Sequence, residues 1–171
     1  MINRSLLGAA GLFALIGCAA PTPPDYAVQH QPALDAFMAG WNAGNIDGLD
    51  VGVAANFQRR SPGGLNSDGL AAFKKTLTDF RTSYPDTKVV LDESHFMKDL
   101  SFHLWTFTGT NSGPGAMPPT GKSVKVSGAT RIRYQDGKIV EELVFFDVLD
   151  WQTQLGFTLT PPASGAAPAA K

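Results

Sequence analysis

The sequence predicts an α+β fold in which helices come first and a run of antiparallel strands follows. Three observations lead to this prediction. Apolar residues recur at helical spacing between residues 31 and 84. From residue 87 onward the period changes to two, which is typical of strands with one buried face. The sequence Asp136-Gly137 between two such segments favours a tight hairpin turn and therefore antiparallel neighbours.

Two helices are expected at the start of the domain. The first covers residues 31–43 and ends at Gly44. Its apolar residues recur at helical spacing: Leu34, Phe37, Met38 and Trp41. A second, shorter helix is expected to begin at Asp47, whose side chain can cap it, and to continue to about residue 55.

A short strand and a third helix are expected next. The strand covers residues 57–61 and ends at the Pro-Gly-Gly sequence that follows. The helix has Asn66 or Ser67 as its N-cap and is stopped by Pro85. One of its faces carries the large apolar residues Leu70, Phe73, Leu77, Phe80 and Tyr84. This face is expected to pack on the sheet.

Four longer strands are expected in the second half of the chain. They cover residues 87–97, 100–110, 123–134 and 139–149. The predicted inward face of the third comprises Val124, Val126, Gly128, Thr130, Ile132 and Tyr134. A Gly- and Pro-rich loop over residues 112–121 precedes this strand and could cover a pocket.

The start of the chain is typical of a lipoprotein signal peptide. A positive segment ends at Arg4, and the apolar run from Leu6 to Ile16 is much shorter than the roughly 20 residues that a membrane span needs. The sequence Leu-Ile-Gly-Cys, ending at Cys18, resembles a lipobox, and this cysteine is the only one in the chain. We therefore expect cleavage before Cys18 and lipid attachment to its thiol. A secretory signal with a chance cysteine is the alternative.

This interpretation divides the chain into four parts. Residues 1–17 are the signal peptide, 18–29 the lipidated cysteine with a Pro-rich tether, 30–159 one domain, and 160–171 a low-complexity tail that is expected to be disordered. The expected location is the cell envelope. Because Ala19 rather than Asp follows the cysteine, the outer membrane facing the periplasm is expected if the host is Gram-negative. Nearly balanced charge, with 14 basic and 15 acidic residues, provides no basic surface for nucleic acid.

Short motifs occur in a characteristic order between residues 33 and 157. They are WNAGNID at 41–47, YPD at 84–86, WTFTGT at 105–110, PTGK at 119–122, DGKIVEE at 136–142 and QLG at 154–156. Together they resemble the SnoaL-like domains, including ester cyclases, of the nuclear transport factor 2-like superfamily. The resemblance implies a cone-shaped barrel of about three N-terminal helices on a curved, mostly antiparallel sheet. It also implies a pocket open at one end and pairing as a homodimer through the sheet.

The resemblance further implies a chemistry. The polyketide cyclases of this family close a ring by an aldol reaction without metal or organic cofactor, using an acid/base carboxylate and histidines. The matching positions here carry Arg60, Thr130 and Val144. Because a valine cannot transfer a proton, that mechanism is not expected in this protein. No His, Asp and Glu spacing suggests a metal site, and no cofactor is expected.

Two other residues are candidates for acid/base work. Glu142 shares a strand face with Val144 and could point into the pocket as an acid. A solvated or ion-paired carboxylate is the alternative. His103 could act as a base with a pKa near neutrality, or could be a hydrogen-bonded structural histidine. Asp147 on the last strand is interpreted as a structural capping acceptor.

The predicted pocket lining comprises Trp41, Phe57, Arg60, Trp105, Thr130, Val144 and Phe146. The aromatic residues among them could equally belong to the core. Arg60 at the mouth of the pocket could bind an anionic ligand group through two hydrogen bonds. Alternatively, Arg59 and Arg60 are simply a solvated pair.

Two functions fit these observations. The first is a ligand-binding or accessory protein of the cell envelope, which takes a small apolar or ester-like ligand and is held on a membrane through lipid on Cys18. The second is a cofactor-free SnoaL-like cyclase, hydrolase or isomerase acting on a small ester or polyketide-like substrate, with Glu142 or His103 as a displaced acid. The altered acid/base positions favour the first.

Overall fold

The structure, a computed structural model, describes residues 24–160 of the chain. The predicted signal peptide, Cys18 and nearly all of the predicted tail lie outside these residues. No helix within residues 24–160 is long and apolar enough to cross a membrane.

The predicted α+β architecture is confirmed, with helices packed on a curved six-stranded sheet. In chain order the elements are α1 (Tyr26–Ala43), α2 (Leu49–Gly52), β1 (Val53–Arg60), a short 3-10 turn (Pro62–Gly64), β2 (Ser67–Asp68), α3 (Leu70–Ser83), β3 (Lys88–Phe96), β4 (Leu100–Thr110), β5 (Ser123–Gln135), β6 (Lys138–Phe146) and α4 (Val148–Leu155). The strand order is β2-β1-β6-β5-β4-β3, and only the β1–β6 pairing is parallel.

Helix α1 begins five residues earlier than the spacing of apolar residues predicts. Asp25 caps it, because its carboxylate accepts hydrogen bonds from the backbone N–H groups of Ala27 and Val28. Pro32 therefore lies inside the helix rather than near its start. The predicted end is confirmed, since Gly44 adopts the left-handed conformation with φ of 68°.

The prediction that the second helix continues to residue 55 is wrong. Helix α2 ends at Gly52, and β1 begins at Val53, four residues before the predicted strand. Gly52 lies against α1, where a Cβ would be only 2.5 Å from the carbonyl oxygen of Ala33. A glycine at this close contact disfavours helix continuation and lets the chain turn into the sheet.

The predicted N-caps of the third helix are also wrong. Ser67 belongs to β2 and pairs with Arg59 of β1, while the Asn66 side chain accepts a hydrogen bond from the Ser61 backbone. Helix α3 starts only after Gly69, whose φ of 91° favours glycine. Both candidate caps are therefore used to build the sheet edge before the helix begins.

The last predicted strand is too long at its C-terminal end. Strand β6 stops at Phe146, and helix α4, which the sequence pattern does not predict, follows immediately. The Asp147 carboxylate accepts a hydrogen bond of 3.0 Å from the Asp150 backbone and caps α4. The interpretation of Asp147 as a capping acceptor is thus confirmed. The other long strands agree with prediction to within about one residue.

The core lies between α1, α3 and the inner face of the sheet. Phe37 and Phe73 stack with ring centroids 5.5 Å apart, and Phe57 packs on both rings. On the sheet, the predicted inward face of β5 is confirmed, because Val124, Val126, Thr130, Ile132 and Tyr134 are all buried. Beyond this aromatic cluster, the helices and sheet diverge and leave the space described next.

Candidate ligand cavity

A cavity of about 680 Å³ lies between the helices and the inner face of the sheet. Its walls come from α1, α3, α4 and five strands, and most of the lining side chains are apolar. The aromatic residues in the wall are Phe37, Trp41, Phe80, Tyr84, Trp105, Phe107, Phe146 and Trp151. This volume is within the range of small-molecule binding sites in proteins.

The Gly- and Pro-rich loop forms part of the cavity wall through residues 114–117. It is fastened to the end of α3, because the Gly113 N–H donates to the Ser83 carbonyl and the Ser83 hydroxyl donates to the Pro114 carbonyl. The buried Asn111 side chain accepts from the Thr120 N–H at 2.8 Å and so holds the two ends of the loop together. The loop is therefore seated on the domain and covers one side of the cavity.

A buried ion pair lines the cavity where β1 and β6 meet. Arg59 and Glu142 are direct neighbours in the parallel pairing of these strands. Arg59 Nε lies 3.2 Å from Glu142 Oε2, and each side chain is only 5% exposed. The guanidinium carbon of Arg59 also lies 5.2 Å from the centre of the Trp41 ring, which adds a cation–π contact.

Burial and the attraction between the two charges shift the pKa values of this pair in opposite directions. Loss of solvation raises the pKa of Glu142, and the positive charge of Arg59 opposes that rise. Burial lowers the pKa of Arg59, and the carboxylate of Glu142 opposes that change. Arginine keeps its proton in proteins, so the guanidinium supplies the positive charge that favours an ionised Glu142.

Arg60 does not line the cavity, so the prediction that it stands at the pocket mouth is wrong. Its guanidinium donates to Asp68 at 2.6 Å, and its side chain is 45% exposed. The reason is strand geometry, because successive residues point to opposite faces of a sheet. Phe57 points inward, so Arg59 shares its face and Arg60 lies on the other. That alternation was present in the sequence and would have identified Arg59.

The other predicted lining residues fall into two groups. Trp41, Trp105, Thr130, Val144 and Phe146 all line the cavity. Phe57 does not, because it is fully buried between Phe37 and Phe73 and belongs to the core. The structure therefore brings Glu142 and five of the predicted residues together around one space.

His103 lines the cavity with both of its ring nitrogens engaged. Nδ1 lies 2.8 Å from the Ser94 hydroxyl and Nε2 lies 2.7 Å from the Ser101 hydroxyl, which also contacts the Tyr134 hydroxyl. Burial, assisted by the charge of His95, lowers the pKa of His103 to about 4. The imidazole is therefore neutral at pH 7 and fixed in a hydrogen-bonded chain, which favours the structural interpretation over that of a free base.

Thr130 and Gly128 position the indole ring of Trp105. The Trp105 Nε1–H donates to the Thr130 hydroxyl at 2.8 Å. Gly128 lies opposite Trp105 on β5, and a Cβ there would be 2.3 Å from the Trp105 ring. The absence of a side chain at Gly128 therefore lets the ring lie against the sheet and leaves the cavity open beside it.

The side chains of residues 24–160 contain no group of three or more His, Cys, Asp or Glu residues that could hold a metal ion. The strands of the sheet contribute four polar side chains to the cavity wall, namely Arg59, His103, Thr130 and Glu142.

Comparison with known proteins gives one family and many similar folds. The sequence matches the SnoaL-like polyketide cyclase family over residues 31–155. No match was found among curated proteins. Among solved structures, a protein assigned to the SnoaL-like polyketide cyclases from Jannaschia Sp. CCS1 superposes with a TM-score of 0.70 at 21% identity, covering 84% of this chain and 100% of that one.

Two further solved structures have the same fold. TsrD from Streptomyces laurentii gives a TM-score of 0.67 at 22% identity and covers 75% of this chain and 96% of its own. TerC, which was co-crystallized with polyporic acid, gives a TM-score of 0.62 at 17% identity and covers 74% and 98%. At sequence identities this low, the superpositions establish a likeness of fold alone.

Proposed function

This chain belongs to the SnoaL-like polyketide cyclase family, and we propose that its domain binds a small, mostly apolar molecule as a ligand-binding or accessory protein of the cell envelope. The observation that carries this proposal is the apolar cavity of about 680 Å³. Well-packed cores leave few voids larger than a water molecule, so a space of this size indicates room for a ligand. The complex of TerC with polyporic acid adds support, since a protein of this fold takes a small molecule.

Binding without the family's cyclase chemistry is favoured by the residues at the altered positions. Val144 faces the cavity and has no group that could move a proton. The hydroxyl of Thr130 accepts a hydrogen bond from the indole N–H of Trp105 and so positions that ring. A small apolar or ester-like molecule is therefore expected to be held by the walls rather than converted through these two positions.

The test is binding of a neutral fluorescent probe, N-phenyl-1-naphthylamine, to the purified full chain. We expect saturable binding of one probe per chain with increased probe emission. Val144→Trp would fill the cavity and should weaken binding at least tenfold. Val90→Trp is the matched control, because Val90 is 44% exposed and should leave binding unchanged. Unchanged affinity in Val144→Trp would show that the probe binds elsewhere and would contradict the proposal.

A second candidate function is favoured by the position of Glu142 in the cavity wall. In this alternative the domain is a cofactor-free cyclase, hydrolase or isomerase for a small ester or polyketide-like substrate, and Glu142 acts as the displaced acid. A metabolite screen for turnover would distinguish the two. Substrate conversion by the wild-type protein that is lost in Glu142→Gln, with binding retained, would support the enzyme.

We also propose membrane attachment through lipid on Cys18, supported by the lipobox-like sequence before it. The test is expression of Cys18→Ser with its signal sequence. The wild type should fractionate with membranes and carry acyl chains, whereas the variant should remain uncut and unacylated. An acylation-free wild type would contradict this placement.

A homodimer through the sheet remains a proposal as well. It is supported by large apolar side chains that are exposed on strands β4 and β6, namely Phe102, Leu104 and Phe145. Leu104 and Phe145 both pair with Ala129 of β5, so they lie in one row across the sheet. Sedimentation of the wild type as a dimer and of Leu104→Glu as a monomer is the expected result, and a monomeric wild type would contradict it.

A further inference from the structure

The cavity opens at one end of the sheet. Wall residues that are also exposed to solvent mark this opening, and they include Pro62, Asp79, residues 114–116 and Gln152. They come from the turn after β1, the second half of α3, the loop between β4 and β5, and α4. The opening therefore lies where β4 and β6 end and β5 begins. We call this edge of the domain the mouth end.

Helix α1 begins at the opposite end of the sheet. The Nε2 atom of His30 lies 3.1 Å from the carbonyl oxygen of Met97, in the connection between β3 and β4. Pro24 lines a surface depression together with Asp99 of the same connection and Asp136 of the turn between β5 and β6. These two connections form what we call the hairpin end, and the first described residues of the chain lie against it.

Packed side chains separate the hairpin end from the cavity. His30 and Tyr134 are both buried, and their rings stack with centroids 3.9 Å apart. The Tyr134 hydroxyl contacts the buried hydroxyl of Ser101, which also contacts His103 in the cavity wall. These residues close the cavity on the side where α1 begins.

The distance between the two ends follows from strand β5, which runs from one to the other. It has 13 residues and, at roughly 3.3 Å per residue, is about 40 Å long. The strands of a barrel are tilted, and a tilt of about 40° shortens this length to about 30 Å along the barrel axis. The mouth end and the hairpin end are therefore about 30 Å apart.

The segment between Cys18 and the described domain is shorter than this distance. Pro24 follows Cys18 by six residues, and even a fully extended chain of that length spans at most about 22 Å. With lipid on Cys18 inserted in a bilayer, Pro24 can therefore lie no more than about 22 Å above the membrane surface. A mouth that faced the bilayer would require Pro24 to be about 30 Å above it, which the length of the segment does not allow.

We propose that the anchored domain stands with its hairpin end toward the membrane, so that the cavity exchanges its ligand with the aqueous compartment and not with the bilayer. The ligand is then an apolar molecule with appreciable solubility in water, and not a lipid taken directly from the membrane. This inference rests on the proposed ligand cavity and on the proposed lipid on Cys18. It adds the route by which the ligand arrives.

The first test measures the orientation of the domain on lipid vesicles. The full acylated chain is placed in phosphatidylcholine vesicles that contain a rhodamine-labelled lipid. A coumarin donor is attached to Lys98→Cys at the hairpin end or to Ala116→Cys at the mouth end. Because acylation blocks the thiol of Cys18, only the introduced thiol reacts. We expect energy transfer to rhodamine to be at least about twofold more efficient from the hairpin end, since the segment holds that end nearer the membrane.

A lengthened segment is the matched control for this measurement. Inserting about 20 Gly and Ser residues before Asp25 gives a flexible linker whose full reach is well beyond the length of the domain. Energy transfer from the two labelled positions should then become similar. A difference that persists undiminished would show that the length of the segment does not set the orientation, and would overturn the inference.

The second test measures the route of ligand entry, with N-phenyl-1-naphthylamine as the probe of the purified full chain. A polyethylene glycol chain attached to Ala116→Cys should slow association of the probe at least threefold, because it obstructs the mouth. The same polymer on Lys98→Cys is the control and should leave the association rate unchanged. Association that is slowed only by the polymer on Lys98→Cys, or by neither, would contradict the proposed route.

Failure of the inference can be told apart from failure of the proposals on which it rests. Mass spectrometry of the same protein reports its acylation, and a chain without acyl groups would refute attachment through Cys18. Absence of probe binding would refute the ligand cavity. An acylated chain that binds the probe, but gives equal or greater energy transfer from Ala116→Cys, would overturn the orientation alone.

Discussion

Replacing Glu142 by Gln should destabilise the domain far more than replacing both members of its ion pair. In Glu142→Gln, the guanidinium of Arg59 remains 5% exposed and loses its countercharge. Breaking a buried pair in this way typically costs about 3–5 kcal/mol. Because whole domains are stable by only about 5–15 kcal/mol, this change removes a large part of the total. In Arg59→Met/Glu142→Leu no uncompensated charge remains, and the cost should stay within about 1 kcal/mol or become a gain.

The reverse single variant, Arg59→Met, should differ because a carboxyl can be neutralised whereas a guanidinium cannot. Burial already raises the pKa of Glu142, and removal of Arg59 takes away the influence that lowers it. A carboxyl whose folded-state pKa is raised contributes relative stability below its unfolded pKa, and that contribution is lost as the pH rises through the folded value. Arg59→Met should therefore lose less stability at pH 5 than at pH 8.

The assay is urea unfolding followed by tryptophan fluorescence, at pH 5 and pH 8, for the wild type, both single variants and the double variant. Arg60→Met serves as the control, since the Arg60–Asp68 pair is exposed and should contribute at most about 1 kcal/mol. A loss below about 1 kcal/mol in Glu142→Gln would refute the reasoning. So would a double variant that is as unstable as the sum of the single variants.

Two further predictions concern other parts of the cavity wall. Burial is the main reason that the pKa of His103 is lowered to about 4. The stability that the neutral imidazole contributes is present above the unfolded pKa of 6.5 and should be lost, by about 3 kcal/mol at most, as the pH falls from 6.5 to 4. A His103→Asn variant whose unfolding free energy has the same pH profile as that of the wild type would contradict this prediction. Gly128→Ala places a methyl group against the Trp105 ring and should lower the free energy of unfolding in urea by about 1–3 kcal/mol. The control is Ala129→Ser on the opposite face of the strand, which should change this free energy little. Equal stability of the two variants would contradict the role assigned to Gly128.

The sequence predicts the long elements of this fold well and their junctions poorly. Strands β4 and β5 and the Asp136-Gly137 turn follow from alternation and turn chemistry, which are local properties. The start of α3 does not follow, because Ser67 and Asn66 are good N-cap residues that are instead used in β2 and in a contact with Ser61. At this junction the pairing of β2 with β1 determines the structure, and the local preference of these residues for an N-cap position does not.

The same limit applies to the candidate site. The inward positions of Thr130 and Val144 were predictable from period-two alternation. The partner of Glu142 was not, because Arg59 and Glu142 become neighbours only through the parallel pairing of β1 with β6. No short-range sequence pattern predicts a parallel pairing between two strands that are so far apart in the chain. Its place in the family motif suggests Arg60 as the ligand contact, but Phe57 and Arg59 are buried on one face of β1 and Arg60 lies on the opposite face.

The central position of β6 in the sheet has a consequence for how the domain folds. Strand β6, the last strand within residues 24–160, lies between β1 and β5, so each of these strands has an open edge until residues 138–146 are present. Contacts between segments so far apart in sequence form slowly, because a long loop must close first. Until then, unpaired edges can associate with other chains. Residues 138–146 must therefore be synthesised before a cavity exists, and a chain shortened before Lys138 should aggregate rather than persist as a stable half.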